Sequence, residues 1–237
     1  MSCKYFILTK PTNNIANDNN NQIIFLNSKT FILPQTNINY YINNGLFEKN
    51  LIDWVTQLCS INKNILDIGA HSGTYSISLA NNCKHVYAFE PQRMTYYSLC
   101  GSVALSNITN ITCINIGLGS ENQVGKNTLN IISHDGGGST LHKHDKILTT
   151  EEIEIRTLDS FNIDNIGFIK IDVEDNELNV LEGSLVTLQK SNYPKILFES
   201  NTINDKLFNF IKNLEYDIIP IKNSYNMFLA VHKKNKM

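Results

Sequence analysis

Apolar residues recur along this chain with two different periods, and the change from one to the other organises it. From Phe47 to Leu58 the positions Phe47, Leu51, Ile52, Trp54, Val55 and Leu58 follow helical spacing and predict one amphipathic helix. Beyond it, short apolar runs alternate with helix-compatible stretches: Ile65 to Ile68, Val86 to Phe89, Ile111 to Ile116, Gly167 to Ile171 and Lys195 to Phe198. Repeated strand-then-helix units belong to a parallel sheet covered on both faces, so the expected class is α/β. A helix is predicted near Asp205 to Leu214. Two further runs, Asp217 to Ile221 and Met227 to Val231, flank the turn-like Asn223-Ser224-Tyr225-Asn226 and predict a terminal antiparallel hairpin.

Two segments depart from that alternation. Apolar runs at Tyr5 to Leu8, Ile23 to Leu26 and Thr30 to Leu33, around the polar stretch Asn13 to Asn21 read as an exposed turn, predict a small β/α extension over residues 1–46. It is expected to be a cap or an edge element ahead of a domain spanning 47–237. Between Ile116 and Phe168 there is more chain than a crossover needs, which marks an insertion at about 117–166. Thr128 to Ser133 and Glu152 to Thr157 read there as an extra strand pair, separated by the loop His134-Asp135-Gly136-Gly137-Gly138-Ser139-Thr140. Long loops on the ligand side of an α/β sheet tend to carry acceptor specificity.

Composition narrows the function class. With 237 residues, 42% of them hydrophobic, the chain can bury enough surface to fold without a disulfide or metal staple. Its five cysteines, Cys3, Cys59, Cys83, Cys100 and Cys113, are scattered and never form C-x-x-C, which argues against a disulfide framework or structural zinc and for a reducing compartment. No apolar run approaches the roughly 20 residues of a membrane span, and no secretory leader pattern opens the chain, so a cytoplasmic protein without membrane contact is expected. Lys+Arg 20 against Asp+Glu 22, with Arg93 and Arg156 the only arginines, leaves no basic stripe for phosphates, so nucleic acid is not the expected partner. Asparagine, about one residue in seven, reads as coding bias, not chemistry.

The strongest local signal is Asn64-Ile-Leu-Asp-Ile-Gly-Ala-His-Ser-Gly-Thr-Tyr-Ser76, a strand ending in Asp67, then Gly69 and Gly73, then a helix. Glycines at such a turn let a ligand approach the backbone, and the following helix start offers free N–H groups. About 20 positions on, Val86-Tyr-Ala-Phe-Glu-Pro91 ends a second strand in an acid, where a carboxylate can accept both ribose hydroxyls. A purely structural role for these residues stays open at this point. A nicotinamide-dinucleotide site would want G-x-G-x-x-G, which Gly69-Ala-His-Ser-Gly73 does not supply. The D-x-G-x-x-x-G form resembles the class I S-adenosylmethionine-dependent methyltransferases instead.

The resemblance narrows through a series in chain order: Leu66 to Ser76, Ala88-Phe-Glu-Pro91, Gly137-Gly-Ser-Thr-Leu141, Arg156-Thr-Leu-Asp-Ser-Phe161, Ile169-Lys-Ile-Asp-Val-Glu174, Glu177-Leu-Asn-Val-Leu-Glu-Gly183 and Ile196-Leu-Phe-Glu199. Together they resemble the FkbM-type methyltransferases, over roughly Phe47 to Val231. One departure is Asp175-Asn176, where the family usually has Gly-Ala or similar. The resemblance implies a doubly wound, mostly parallel seven-stranded Rossmann-like sheet and methyl transfer from S-adenosylmethionine to a hydroxyl, commonly of a sugar or other small molecule, with S-adenosylhomocysteine left behind. It also implies cofactor contacts at Asp67, Gly69, Ala70, His71 and Gly73 for the methionine part, at Glu90 with Pro91 for the ribose, and at Gly117 and Leu118 for the adenine.

Alkylating a sugar hydroxyl calls for a base. Asp172, Glu174 and Glu199 are the candidate catalytic carboxylates, and His134, His142 and His144 the candidate imidazoles. Asp172 and Glu199 end successive strands and could share a divalent cation, but a pair without a third ligand is thin evidence, and no metal site is assigned. His71 is expected to pack at the cofactor turn. Two alternatives remain. A ribose 2′-O methyltransferase of nucleic acid generally needs a lysine between such carboxylates, and the helix after Asp172 offers none before Lys190. A non-catalytic cofactor-binding module would be expected to lose the glycines or Glu90, which are present. The extension is expected either to cover the acceptor or to mediate a homo-oligomer.

Overall fold

The computed structural model describes residues 5–10, 15–17, 23–25, 29–201, 204–222, 224 and 226–235. In chain order, the first part holds β1 (Tyr5–Lys10), β2 (Ile15–Asn17), β3 (Ile23–Phe25), β4 (Lys29–Pro34), α1 (Ile38–Asn44) and α2 (Lys49–Val55). Next come β5 (Asn64–Ile68), α3 (Thr74–Leu79), β6 (His85–Phe89), α4 (Arg93–Leu105), β7 (Ile111–Ile114), β8 (Gly117–Leu118), β9 (Gly125–Ile131) and β10 (Thr149–Arg156). The chain continues through β11 (Ile166–Ile171), α5 (Glu177–Glu182), α6 (Leu185–Lys190), β12 (Lys195–Glu199), α7 (Asp205–Asn213), β13 (Tyr216–Pro220) and β14 (Met227–His232).

Seven strands form the main sheet in the order β13-β14-β12-β11-β5-β6-β7. The five strands from β12 to β7 run parallel, and β14 enters antiparallel between β12 and β13, so the terminal hairpin closes one edge. Part of the turn joining that hairpin, Asn223 and Tyr225, lies outside the described residues. The sheet is α/β and doubly wound, because its side chains alternate between two buried layers. Leu66, Ile68, Ile169, Ile171, Ile196 and Phe198 share one core with Val180, Leu188, Leu207 and Ile211 from α5, α6 and α7. The intervening Ile65, Phe168 and Leu197 pack on the other face against α2 and α3. The same period of two puts Asp67 and Lys170 on the α3 face, directly opposite one another in the register of β5 and β11.

Two local expectations change. The run Ile111 to Ile116 stays in the sheet only to Ile114, because Asn115 turns to donate to the carbonyls of Glu90 and Pro91, each at 2.9 Å. The chain then leaves for a separate sheet, β8-β10-β9, in which β9 and β10 are the extra antiparallel pair of the insertion. The helix expected from Phe47 starts at Lys49, after Glu48 adopts a left-handed φ of 54°. Phe47 stacks instead on Tyr40, with ring centroids 4.1 Å apart.

The N-terminal ribbon of β1 and β4 does not extend the main sheet and is no edge strand of it. It lies on α4, whose face toward it sets small residues, Gly101 and Ser102, beside the apolar Leu99 and Val103. The backbone N–H groups of Ile32 and Thr30 donate to Ser102 Oγ and Ser106 Oγ, both at 2.8 Å. A Cβ on Gly101 would stand 2.5 Å from the Ile32 side chain. Phe31, Leu33 and Tyr41 share a core with Ala70, Ile77 and Leu99, so this segment is packed into the domain. Within the expected turn Asn13 to Asn21, Ile15–Asn17 pairs as a short strand with Ile23–Phe25, and the remainder lies outside the described residues. Among the described residues no helix is long and apolar enough to cross a membrane.

Ser102 on α4 and Ser106 at its C-terminal end give a direct test of this docking. Ser102→Ala and Ser106→Ala should each lower stability by about 1–3 kcal/mol, the cost of leaving a buried backbone donor unpaired. Urea denaturation measures it, and unchanged midpoints in both variants would show that the ribbon is not held there.

Candidate active site

A cavity of about 310 Å³ opens at the C-terminal ends of β5, β6 and β11. This is where the strand order reverses, since β5 pairs with β6 on one side and with β11 on the other. Open α/β sheets bind ligands in such crevices, and the volume suits a small molecule. The chain makes the crevice by a tight turn. Gly69 has φ +75°, and a Cβ there would stand 1.8 Å from the Asp172 carbonyl oxygen, so no other residue lets β5 and β11 end this close together.

Part of the lining is apolar. Gly117 brings Pro91, Ile153 and Ile155 together, each within 3.6 Å of where its Cβ would be, and Leu118 and Ile116 complete the slot. Glu90 follows it, almost fully buried, with one oxygen accepting from the His71 N–H at 2.8 Å and the other from Gln92 N–H and Thr95 Oγ1, both at 2.9 Å. Burial raises its carboxyl above the usual range, against the pull of His71 and these donors.

The charged part of the lining centres on Lys170, whose ammonium is buried. It donates to the Gly69 carbonyl at 2.8 Å and lies 3.1 Å from Asp172 Oδ2 and 3.7 Å from Asp67 Oδ1. Burial alone would lower its pKa, and the facing Asp172 and Asp67 reverse the direction, so it stays raised and charged. The Tyr75 ring lies 5.4 Å away, and its hydroxyl donates to Glu48 Oε2 at 2.9 Å.

Past β11, Asp172, Glu174 and Glu199 each offer an oxygen within 4.8 Å of the others, a spacing that suits one divalent cation or a shared proton. Glu199 is pushed up to about 9 by burial and by its neighbours Asp172 and Glu174. Glu174 is raised too, by burial and by Asp172, against the Gly138 N–H that it accepts at 2.9 Å.

Residues 67–218, more than half of the chain, match the Methyltransferase FkbM domain family. The chain belongs to the FkbM methyltransferase family. Among solved structures it is similar to methyltransferase FkbM from Methylobacillus flagellatus KT, with 21% identity and a TM-score of 0.53 over 73% of this chain. The match covers 44% of that protein, so this chain spans less than half of its length. It is also similar to a precorrin-6y C5,15-methyltransferase from Geobacter metallireducens GS-15, with 12% identity and a TM-score of 0.51 over 79% of this chain and 90% of that one. These likenesses show a shared Rossmann-like methyltransferase fold. A comparison with curated proteins gives no match.

Of the residues singled out by the FkbM motifs, Gly69, Ala70, His71, Glu90, Pro91, Gly117, Leu118, Asp172 and Glu174 line the cavity together. Asp67, Gly73 and Glu199 stand behind its wall. Asp67 Oδ2 accepts from Ser76 N–H at 3.0 Å and Ser76 Oγ at 2.5 Å, so it anchors α3 and faces Lys170. A Cβ on Gly73 would stand 2.5 Å from Leu99, which makes it a packing glycine with φ +83°. Glu199 accepts from Asn226 and Asn201, at 2.5 and 3.1 Å, and so fixes two loops as well as joining Asp172.

The His71 ring sits 2.8 Å from the Asp135 carbonyl and bridges the cofactor-type turn to the insertion loop. His142 reaches the Asp175 carbonyl at 3.2 Å and His144 the Lys146 carbonyl at 3.2 Å, and neither lines the cavity. Asp175 takes φ +73°, a left-handed backbone that aspartate is one of the few residues to tolerate. Sequence reasoning missed Lys170, Tyr75, Glu48, Phe47 and Asn37. The available signal for the first was a lysine inside the otherwise apolar Ile169-Lys-Ile171.

The raised carboxyl of Glu199 has a consequence for stability. Its folded pKa, about 9, exceeds the ordinary 4.5, so the stability it contributes is full below the ordinary value and is lost as pH rises through about 9. Glu199→Gln should flatten the fall in melting temperature between pH 5 and pH 9 in EDTA, and a variant with the wild-type slope would place the titration elsewhere.

Proposed function

We propose that this chain is an S-adenosylmethionine-dependent O-methyltransferase acting on a hydroxyl of a sugar, a glycan or a similar small molecule. The observation that carries this reading is the zoning of one cavity: an apolar slot, a buried carboxylate, and a charged region beside three clustered acids. That sequence of surfaces fits adenine, ribose and a zwitterionic amino acid in turn. The slot of Pro91, Gly117, Leu118 and Ile155 would take the adenine, and Glu90 the ribose. The Gly69-Ala70-His71 turn and Asp172 would take the methionine part.

S-adenosylmethionine, when bound, supplies a methyl group on a sulfonium, which passes to the acceptor oxygen as that oxygen loses its proton, and S-adenosylhomocysteine remains. The chain has to hold an acceptor in line and take the proton. Positioning of this kind contributes roughly 7–11 kcal/mol toward lowering a barrier. Glu174 lines the cavity, and its raised carboxyl makes it a stronger base than a free glutamate. Asp172 and Glu199 stand next to it, Glu199 keeping a proton of its own up to about pH 9.

The acceptor side comes from the N-terminal segment and the insertion. Tyr41 and Phe47 offer ring faces that can pack on the C–H face of a sugar, and Glu48 and Asn37 offer groups for its hydroxyls. Asn37 Nδ2 donates to Asp135 Oδ2 at 3.1 Å, so the two segments meet over the site and screen it from water. Lys170 supplies the lysine that sequence reasoning found missing for a ribose 2′-O enzyme. Its ammonium is however engaged by Gly69, Asp172 and Asp67, and the chain retains its low arginine count.

The test is transfer of labelled methyl from S-adenosylmethionine into cell extract separated into saccharide, lipid, protein and nucleic-acid pools. Label should enter the saccharide pool and fall by about 10²–10⁴ in Glu174→Gln, the usual worth of a positioned base, with S-adenosylhomocysteine affinity within about twofold of wild type. Label confined to nucleic acid would replace the sugar reading, and label in no pool would contradict methyl transfer.

A further inference from the structure

We infer that Lys170 is a positioning residue for the amino-acid end of the cofactor, holding Asp172 and the Gly69 carbonyl in place so that the remaining Asp172 oxygen can receive an α-ammonium group. The inference rests on the cofactor reading above and goes beyond it, since the family motif by itself assigns the lysine no task.

The geometry divides Asp172 between the lysine, a hydrogen bond with Glu199 and the cavity. Oδ2 lies 3.1 Å from the Lys170 ammonium, and the side chain keeps 30% of its surface exposed while lining the cavity. Lys170 itself retains 6% of its side-chain surface and cannot reach out to a ligand without leaving the Gly69 carbonyl and Asp172. Its action is therefore indirect. A lysine side chain has several rotatable bonds, but this one is confined beneath the Gly69 carbonyl at 2.8 Å and beside the Tyr75 ring.

Charge decides which end of a zwitterion belongs here. Asp172 and Asp67 outnumber the single ammonium between them, and Glu48 adds a further carboxylate at the cavity wall through its bond to Tyr75. The surplus is negative and suits a cation. Without Lys170, Asp67 Oδ1, which has no hydrogen-bond partner, would face Asp172 with nothing between, and like charges at the paired strand ends would push the Asp172 carboxylate out of register. A structural lysine and a positioning lysine then differ in what they select. Loss of the first weakens every ligand of the cavity, and loss of the second weakens only those carrying the amino-acid end.

Two probes separate these cases: S-adenosylhomocysteine, which carries the amino-acid end, and 5′-methylthioadenosine, which lacks it. Calorimetric titration of the full chain should show Lys170→Met losing at least tenfold in affinity for S-adenosylhomocysteine while its affinity for 5′-methylthioadenosine stays within twofold of wild type. Lys170→Arg should recover part of the loss. If Lys170→Met does not fold, Asp172→Asn carries the same selective expectation. Equal losses for both probes, or no loss for either, would overturn the role of Lys170 and leave the cofactor reading standing. A wild-type chain that binds neither probe would overturn both.

Discussion

Between the ends of β5 and β11 an ammonium group sits inside the protein with two carboxylates and a carbonyl around it, and what is built above depends on that arrangement. Removing an ion from water costs several kcal/mol even after relaxation, and breaking a buried pair by deleting one partner costs about 3–5 kcal/mol. Lys170 therefore ties three neighbours to itself. Asp67 anchors α3 through Ser76, Gly69 makes the turn into the crevice, and Asp172 opens the acidic cluster. One parallel pairing, Lys170 opposite Asp67, brings all of them to the point where the sheet order reverses.

Over this base the two segments outside the strand–helix alternation close the site from opposite sides. The N-terminal segment contributes Asn37, Tyr41, Phe47 and Glu48, and the insertion contributes its glycine loop. The loop is bound at several points: Asp135 to Asn37 and His71, Gly138 and Thr140 to Glu174, and His142 to Asp175. Beneath it Asn176 bonds the Leu118 carbonyl and Gln123, linking the apolar slot to the loop after β11. Polar bonds between loops, in place of a packed apolar interface, suit a wall that must part to admit an acceptor. Glu48 holds its left-handed backbone at this wall, the kind of local strain that persists where a site needs a side chain in a fixed place.

The sheet was legible because burial on both faces leaves a strong mark. Runs such as Ile196-Leu-Phe198 and Val86 to Phe89 are too apolar and too short for anything but central strands, and Asp67, Gly69 and Glu90 announce the ends of two of them. The site was half legible. Its lining glycines and Glu90 follow from local sequence, whereas Lys170 depends on a register between strands about a hundred residues apart, which no local pattern encodes. Phe47 was placed on a helix by its spacing, and the helix begins two residues later because Glu48 turns the chain. The small serines of α4 carry little hydrophobic signal, so the ribbon they hold gave no sign of where it would dock.

The central claim is that a single cavity, zoned around Glu90 and anchored by Lys170, receives the methyl donor. A crystal structure of the chain with S-adenosylhomocysteine tests it most directly. The account predicts the adenine between Pro91 and Ile155, the ribose hydroxyls at Glu90, and the amino-acid end at Asp172 beside Gly69. Ligand density elsewhere on the molecule, or an amino-acid end turned toward the insertion with Asp172 untouched, would contradict it.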